Sequence, residues 1–335
     1  MKSGWGKWVK RGLLALLAVL VIAFLIFRTP DTDPAAMRAK YGAPPSQFVE
    51  IGGGLTVHLR DEGPKGAPAI ILLHGSNADL HTWDPWAEAL KGRYRVIRFD
   101  QVGHGLTGPD PKGDYSRDNY VADILEVADK LGLKTFVLGG NSMGGKHALA
   151  FAVKHPERLT GLVLVDAAGG PMLKLARKKD DDSSSRSGNI GFRIARMPGV
   201  NLLVEQITPR VLIAQSLEQS VSVKSVVTEQ AIDRYWELLR YPGNRRATLK
   251  RFSLPYDPLS EAEIAGVTVP TLILWGEEDR LIPLAAGQWL ARTIPDNSLV
   301  TYPKVGHLPH EEAVAATLGD FGPWLAEHAS PPKPE

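Results

Sequence analysis

Cysteine is absent from the 335 residues, so the chain holds no disulfide framework, no thiolate metal site and no cysteine nucleophile. That absence suits any redox compartment and selects none. Net charge is nearly absent as well: 39 basic against 37 acidic side chains leave +2, and nothing in their distribution suggests nucleic acid. No metal-ligand cluster and no phosphate-cradling glycine loop stands out, so no metal and no cofactor is expected.

What charge imbalance there is lies at one end. Lys2, Lys7, Lys10, Arg11 and Arg28 place +5 on the first 28 residues, around an unbroken apolar run of 15 residues at 13–27. No small-x-small cleavage site follows, only Phe27-Arg28-Thr29-Pro30. Residues 1–28 therefore read as an uncleaved signal anchor, the alternative being secretion after signal cleavage. At about 1.5 Å per residue the run covers ~23 Å of a ~30 Å hydrocarbon layer, and Trp8, Lys10, Arg11 and Arg28 can snorkel to complete the span. Basic residues ahead of the run orient the amino terminus to the cytoplasm and the remainder to the periplasmic side of the inner membrane. Residues 29–47, with four prolines, read as a stiff, extended tether.

Beyond the tether, β-prone apolar runs at 69–73, 94–99, 136–138, 162–165, 271–275 and 299–302 alternate with helical patterns, one of them at 117–131 behind the cap residue Ser116. Residues 48–62 add two short strands around Gly52-Gly53-Gly54. Such alternation predicts an α/β fold, a mostly parallel sheet covered by helices on both faces, with the site in loops at the strand C-terminal ends. After the strand at 162–165 the rhythm stops for roughly 100 residues. A charged, serine-rich stretch at 177–185 reads as a solvated loop, and helical patterns near 192–197, 202–207, 211–217, 229–239 and 245–251 read as a cap over the sheet edge. The expected division is core at 48–167, helical cap at 168–265, core at 266–328 and a tail at 329–335. In the cap, Arg234, Trp236 and Arg240 are candidate ligand contacts or, equally, a surface helix face.

The densest signal lies at 135–145. A β-prone run ends in Gly140-Asn141-Ser142-Met143-Gly144, and a helical pattern begins at once. In such a G-x-S-x-G turn the glycines let strand and helix approach closely, the serine is lifted clear of the backbone, and the helix N-terminus favours a developing negative charge. His74-Gly75-Ser76-Asn77 follows the first long buried strand. Asp100 and His104 lie in a glycine-rich loop and read as ties to backbone groups rather than catalysts. Asp166 ends the strand after the elbow helix and Asp279 lies in the loop at 276–283; each is a candidate acid or a turn cap. His307 occupies the loop after the last strand. His310, beyond Pro309, is expected to open the closing helix and face solvent.

With these segments in this order, the chain resembles the α/β-hydrolase superfamily from about residue 48 to 326. The resemblance implies Ser142 as nucleophile, His307 as base, Asp279 as its orienting acid, and the backbone amides of Ser76 and Met143 as the oxyanion hole. The elbow is similar to that of hydrolases that cleave carbon–carbon bonds in aromatic ring-fission products. Departures from that group are Asn77-Ala78-Asp79, where it usually has Gly-Pro-Gly, and Leu308, where it often has tryptophan. A serine nucleophile also separates the chain from the dehalogenases and epoxide hydrolases of this fold. The expectation is a serine hydrolase of small to medium, mostly apolar carboxylic esters, working through an acyl-enzyme and held to the membrane. The alternatives are a carbon–carbon bond hydrolase of ring-fission dienones and a ligand-binding member without turnover, which fluorophosphonate labelling at Ser142 would separate.

Overall fold

The computed structural model describes residues 3–170 and 205–329, with side chains from residue 7 onward. The expectations for 177–185, for 192–197 and for the last residues of the tail fall outside the described residues. Helix α1 (Ser3–Phe27) contains a 21-residue stretch, Lys7–Phe27, that is long and apolar enough to cross a membrane. None of that stretch is buried in the fold. Such a helix fits a signal anchor or a signal sequence alike.

The segment after it is not the extended tether expected. Thr29 donates its amide to Gln206 O at 2.9 Å, and Arg245 reaches Asp31 at 2.6 Å. Asp33 then caps α2 (Pro34–Tyr41) by accepting the Ala36 amide. Counting prolines hid this helix: Asp33-Pro34 is an N-cap followed by the one helical position where proline is favourable. Lys40 and Tyr41, near the end of α2, both bond Glu237 at 2.7 Å. The segment is thereby fastened to the cap.

One eight-stranded sheet follows. Its strands are β1 (Ser46–Glu50), β2 (Thr56–Glu62), β3 (Ala69–Leu73), β4 (Arg95–Phe99), β5 (Phe136–Asn141), β6 (Leu159–Val165), β7 (Thr271–Gly276) and β8 (Asn297–Tyr302). Their spatial order is β1-β2-β4-β3-β5-β6-β7-β8. The β1–β2 and β2–β4 pairs are antiparallel and the rest parallel. Chain order reverses at β3, which lies between β4 and β5, so the loops leaving β3 and β5 open side by side at the strand C-terminal ends, where ligands bind in open α/β sheets.

Both faces of the sheet are covered because its strands are apolar on both sides. Ile71 and Leu73 of β3 pack with Phe136, Phe151 and the helices α4 (Arg117–Lys130) and α5 (Met143–Lys154). Ile70 and Leu72 pack on the opposite face with Trp83, Trp86 and Phe321. The two arginines of β4 are neutralised by carboxylates: Arg95 forks onto Asp61 at 2.9 and 2.8 Å, and Arg98 pairs with Glu62 and Asp84.

Between β6 and β7 lie α6 (Arg210–Ser220), α7 (Glu229–Leu239) and α8 (Asn244–Ser253), the described part of the cap. Leu217, Ile232 and Tyr235 form a small core of their own with Ala78. The short α9 (Glu261–Ala265) carries a capping box, Ser260 with Glu263, and buries Ile264 in the main core. The chain closes through α10 (Leu284–Thr293), α11 (Pro309–Glu312) and α12 (Val314–His328).

Candidate active site

Ser142 stands between β5 and α5 with φ 52° and ψ −114°, a backbone conformation that costs a non-glycine residue on the order of 1–3 kcal/mol. Its surroundings hold it there. The Ser142 amide donates to Val165 O at 3.0 Å, and its carbonyl accepts from Lys146 and Ala168 at 3.0 and 2.9 Å. The elbow glycines are required by approach distance: a Cβ on Gly144 would lie 2.3 Å from Leu73 O, and one on Gly140 would lie 2.4 Å from the Gly144 carbonyl. Strand and helix can meet at this angle only without those side chains.

The loop after β3 presses against the same serine. A Cβ on Gly75 would come within 2.8 Å of Asn141 Oδ1 and 3.3 Å of Ser142 Cβ. His74 fixes this loop from behind, its Nε2 accepting the Gln101 amide at 2.9 Å and its Nδ1–H donating to Gly75 O at 2.8 Å. Burial pushes its pKa down, so the ring is neutral, as this bonding pattern requires. The backbone amides of Ser76 and Met143 donate to no acceptor among the described residues, and Ser76 borders the cavity beside Ser142.

On the other side, His307 Nδ1 meets Asp279 Oδ2 at 2.7 Å. Asp279 Oδ1 accepts the amides of Leu281 and Ile282 at 2.7 and 3.0 Å, so the carboxylate is held by donors on both oxygens. Its Nδ1 so engaged, His307 keeps Nε2 for the cavity. Ser142 and His307 line that cavity together without a hydrogen bond between them, as is common before substrate tightens a site. Asn141 joins the two halves by donating to Val165 O and His307 O, both at 3.1 Å.

Asp166 is neither a remote turn cap nor the partner of His307. It is fully buried at φ 43°, its carboxyl accepts the Gly276 amide at 3.2 Å, and one of its oxygens lies within 4.8 Å of an Asp279 oxygen and a His307 ring nitrogen. Burial first, and then the negative charge of Asp279, push its pKa well above the carboxylate range. Both effects favour the neutral, protonated form of Asp166 beside Asp279. The trio does not read as a metal site, because the Asp279 lone pairs are already taken by two amides and an imidazole.

Asp100 ties backbone as expected, accepting Leu80 and Leu106 amides at 2.8 and 2.7 Å and pairing with His58. His104 is buried against Val102 O, outside the site. His310 departs from expectation: it is fully buried, stacked 4.1 Å from the Trp83 ring, and burial lowers its pKa to about 3. The helix it opens faces the core because α11 packs under the loop before α3 (Asp84–Leu90). Nor do the three candidate cap residues face the cavity. Arg234 turns to Asp79 at 3.1 Å, Trp236 donates to Thr208 O at 2.7 Å, and Arg240 lies over the Trp236 ring and bonds Pro30 O.

The cavity, about 1030 Å³ with its open mouth, is walled by α6, by Tyr235 and Leu239 of α7, and by Arg245, Thr248, Leu249 and Phe252 of α8. Those four recur at i, i+3, i+4 and i+7, a helical face that the sequence displayed. Glu312 was also passed over: its carboxylate accepts the amides of Gly306 and Leu308, on either side of His307, and of Ser222 and Val223 at the end of α6. It locks the histidine loop to the cap.

Residues 70–318 match the family model described as "Alpha/beta hydrolase family". A 2-hydroxy-6-oxo-6-phenylhexa-2,4-dienoate hydrolase of Burkholderia cepacia is 30% identical over 288 residues, covering 78% of this chain and 90% of that protein. The structure of a thermophilic esterase from Thermogutta terrifontis is 28% identical, with a TM-score of 0.65 over 85% of this chain and all of that one. A membrane phospholipase A, described as a bacterial virulence factor, shares the fold at 23% identity and a TM-score of 0.66 over 96% of this chain and all of that one.

Proposed function

This chain belongs to the alpha/beta hydrolase family, and on that premise we propose that it is a serine hydrolase cleaving small to medium, mostly apolar carboxylic esters through an acyl-enzyme. The observation that carries this reading is the meeting of Ser142, held on its strained elbow, with the His307–Asp279 pair on the wall of one cavity. In the proposed cycle His307 Nε2 takes the serine proton as Oγ attacks the carbonyl, while the amides of Ser76 and Met143 hold the oxyanion. His307 then protonates the leaving alcohol, and water repeats the sequence to release the acid.

Likeness to an esterase at 28% identity, and a cavity wall carrying Leu212, Ile213, Leu217, Leu239, Leu249 and Phe252, favour an apolar ester. Carbon–carbon bond hydrolysis is the second reading, favoured by the 30% identity to a dienoate hydrolase and served by the same serine, base and oxyanion donors. One panel separates them: nitrophenyl esters of graded chain length beside a ring-fission dienone, each with wild type and Ser142→Ala. Serine-dependent ester turnover is expected to dominate. Fast loss of the dienone with negligible esterase activity would overturn the first reading in favour of the second.

The apolar α1 serves, in this reading, as an anchor with its amino terminus in the cytoplasm and the hydrolase domain in the periplasm, because Lys7, Lys10 and Arg11 precede the apolar run. Protease added to spheroplasts should remove the domain. Full protection would sink this orientation.

A further inference from the structure

Beneath the cavity floor, α8 sends one more arginine toward the elbow. Arg251 Nη1 donates to Ser76 Oγ and to Met143 Sδ, both at 3.1 Å, and Nη2 donates to Thr248 Oγ1 at 2.9 Å and Asn77 Oδ1 at 3.3 Å. Its Nε is sealed from solvent without a partner. Most arginines drawn into the fold have a carboxylate: Arg95 has Asp61, Arg98 has Glu62 and Asp84, Arg234 has Asp79, and Arg245 has Asp31, while Arg240 bonds the Trp236 and Pro30 carbonyls. Arg251 has none among the described residues. The acidic hydroxyls nearest to it, Tyr115 and Tyr120, have pKa values raised chiefly by burial and stay neutral. Asp100, the buried carboxylate after β4, is engaged by His58.

A positive charge in such a place normally calls for a counter-ion, since an unpaired buried cation is strongly unfavourable. The two residues it touches, Ser76 and Met143, are those whose amides have no acceptor among the described residues, and Ser76 borders the cavity. We propose that Arg251 is a positioning residue of the oxyanion pocket, fixing Ser76 and Met143 by its fork of hydrogen bonds and directing an uncompensated positive charge at the place where the oxyanion forms. The missing counter-ion is then the reaction's own negative charge, present in the tetrahedral intermediate and absent from the neutral ester. Charge stabilisation of this kind lowers the barrier and leaves ground-state binding nearly unchanged.

This inference rests on the serine hydrolase reading, so the test measures both. An alkyl fluorophosphonate reacts as Ser142 Oγ forms a bond to phosphorus, fluoride leaves, and the serine proton passes to His307; its phosphoryl oxygen occupies the same pocket. Labelling rates, ester kcat and KM, and melting temperatures are compared for wild type, Arg251→Met and Arg251→Lys in the full-length protein. Arg251→Met is expected to lower the labelling rate and kcat on the order of 100-fold, the effect of losing one oxyanion donor, with KM changed less than about threefold. Its melting temperature should hold or rise, because an apolar isostere removes an unpaired buried charge. Arg251→Lys, which keeps the charge and loses the fork, should stay within about tenfold of wild type. A labelled wild type with Arg251→Met equally reactive would overturn the role of Arg251 alone. Equal losses in both variants, accompanied by lower melting temperatures, would mark Arg251 as structural and overturn it too. An unlabelled wild type would overturn the serine reading and this inference with it.

Discussion

Ser142→Ala is expected to abolish ester turnover, a loss on the order of 10⁶ in kcat if the proposed serine and histidine act as one unit, as in serine proteases. Its melting temperature should barely move. Ser142 Oγ has no hydrogen bond to lose among the described residues, and alanine bears the same strain at φ 52° as serine does. Ser142→Gly supplies the control, since it deletes the same nucleophile while relieving the backbone, and should be more stable than Ser142→Ala by about 1 kcal/mol. Turnover of a nitrophenyl ester and thermal melts of the three proteins check both halves. Residual activity in Ser142→Ala above a hundredth of wild type would remove Ser142 from the chemistry.

The elbow could be read from the sequence because its geometry is enforced by residues that are missing a side chain. Gly140 and Gly144 each meet backbone atoms at distances no Cβ tolerates, so spacing alone betrays the turn. The parallel strands were legible for a related reason: Ile70 to Leu73 must be apolar on both faces, which leaves little else that the run can be. Partnerships across the fold leave no such local mark. The raised pKa of Asp166 follows from the loss of water around it and from Asp279 arriving beside it, 113 positions later in the chain. Arg234 and Arg251 look alike along the cap helices, yet one finds Asp79 and the other finds no acid among the described residues. His310 was assigned to solvent from its place after a proline, whereas the packing of α11 beneath Trp83 decides its burial. Local pattern specifies elements; which charges end up paired is a property of the assembled core.

The contrast between two aspartates is the sharper test of the site. Asp279→Asn is expected to lower kcat by about 10⁴, as the same change does in serine proteases. The hydrogen bonds explain why. With Oδ1 of the side chain kept by the Leu281 and Ile282 amides, asparagine would present its NH₂ to His307 Nδ1. That nitrogen must then accept, the ring proton moves to Nε2, and the base can no longer take the serine proton. Asp166→Asn should be nearly silent at neutral pH, because an amide mimics a protonated carboxyl: its oxygen can accept from Gly276 and its NH₂ can donate toward Asp279. A difference should open with pH. The folded-state pKa of Asp166 is raised, so the stability it contributes is full at pH below the ordinary carboxylate range and is lost as pH rises through the folded value. Asp166→Asn has no proton to lose there. Melting temperatures followed from acid to alkaline pH should therefore fall for wild type relative to Asp166→Asn, with kcat measured alongside. If Asp166→Asn were instead the crippling change, or Asp279→Asn kept more than a tenth of wild-type activity, Asp166 would be the acid that orients His307.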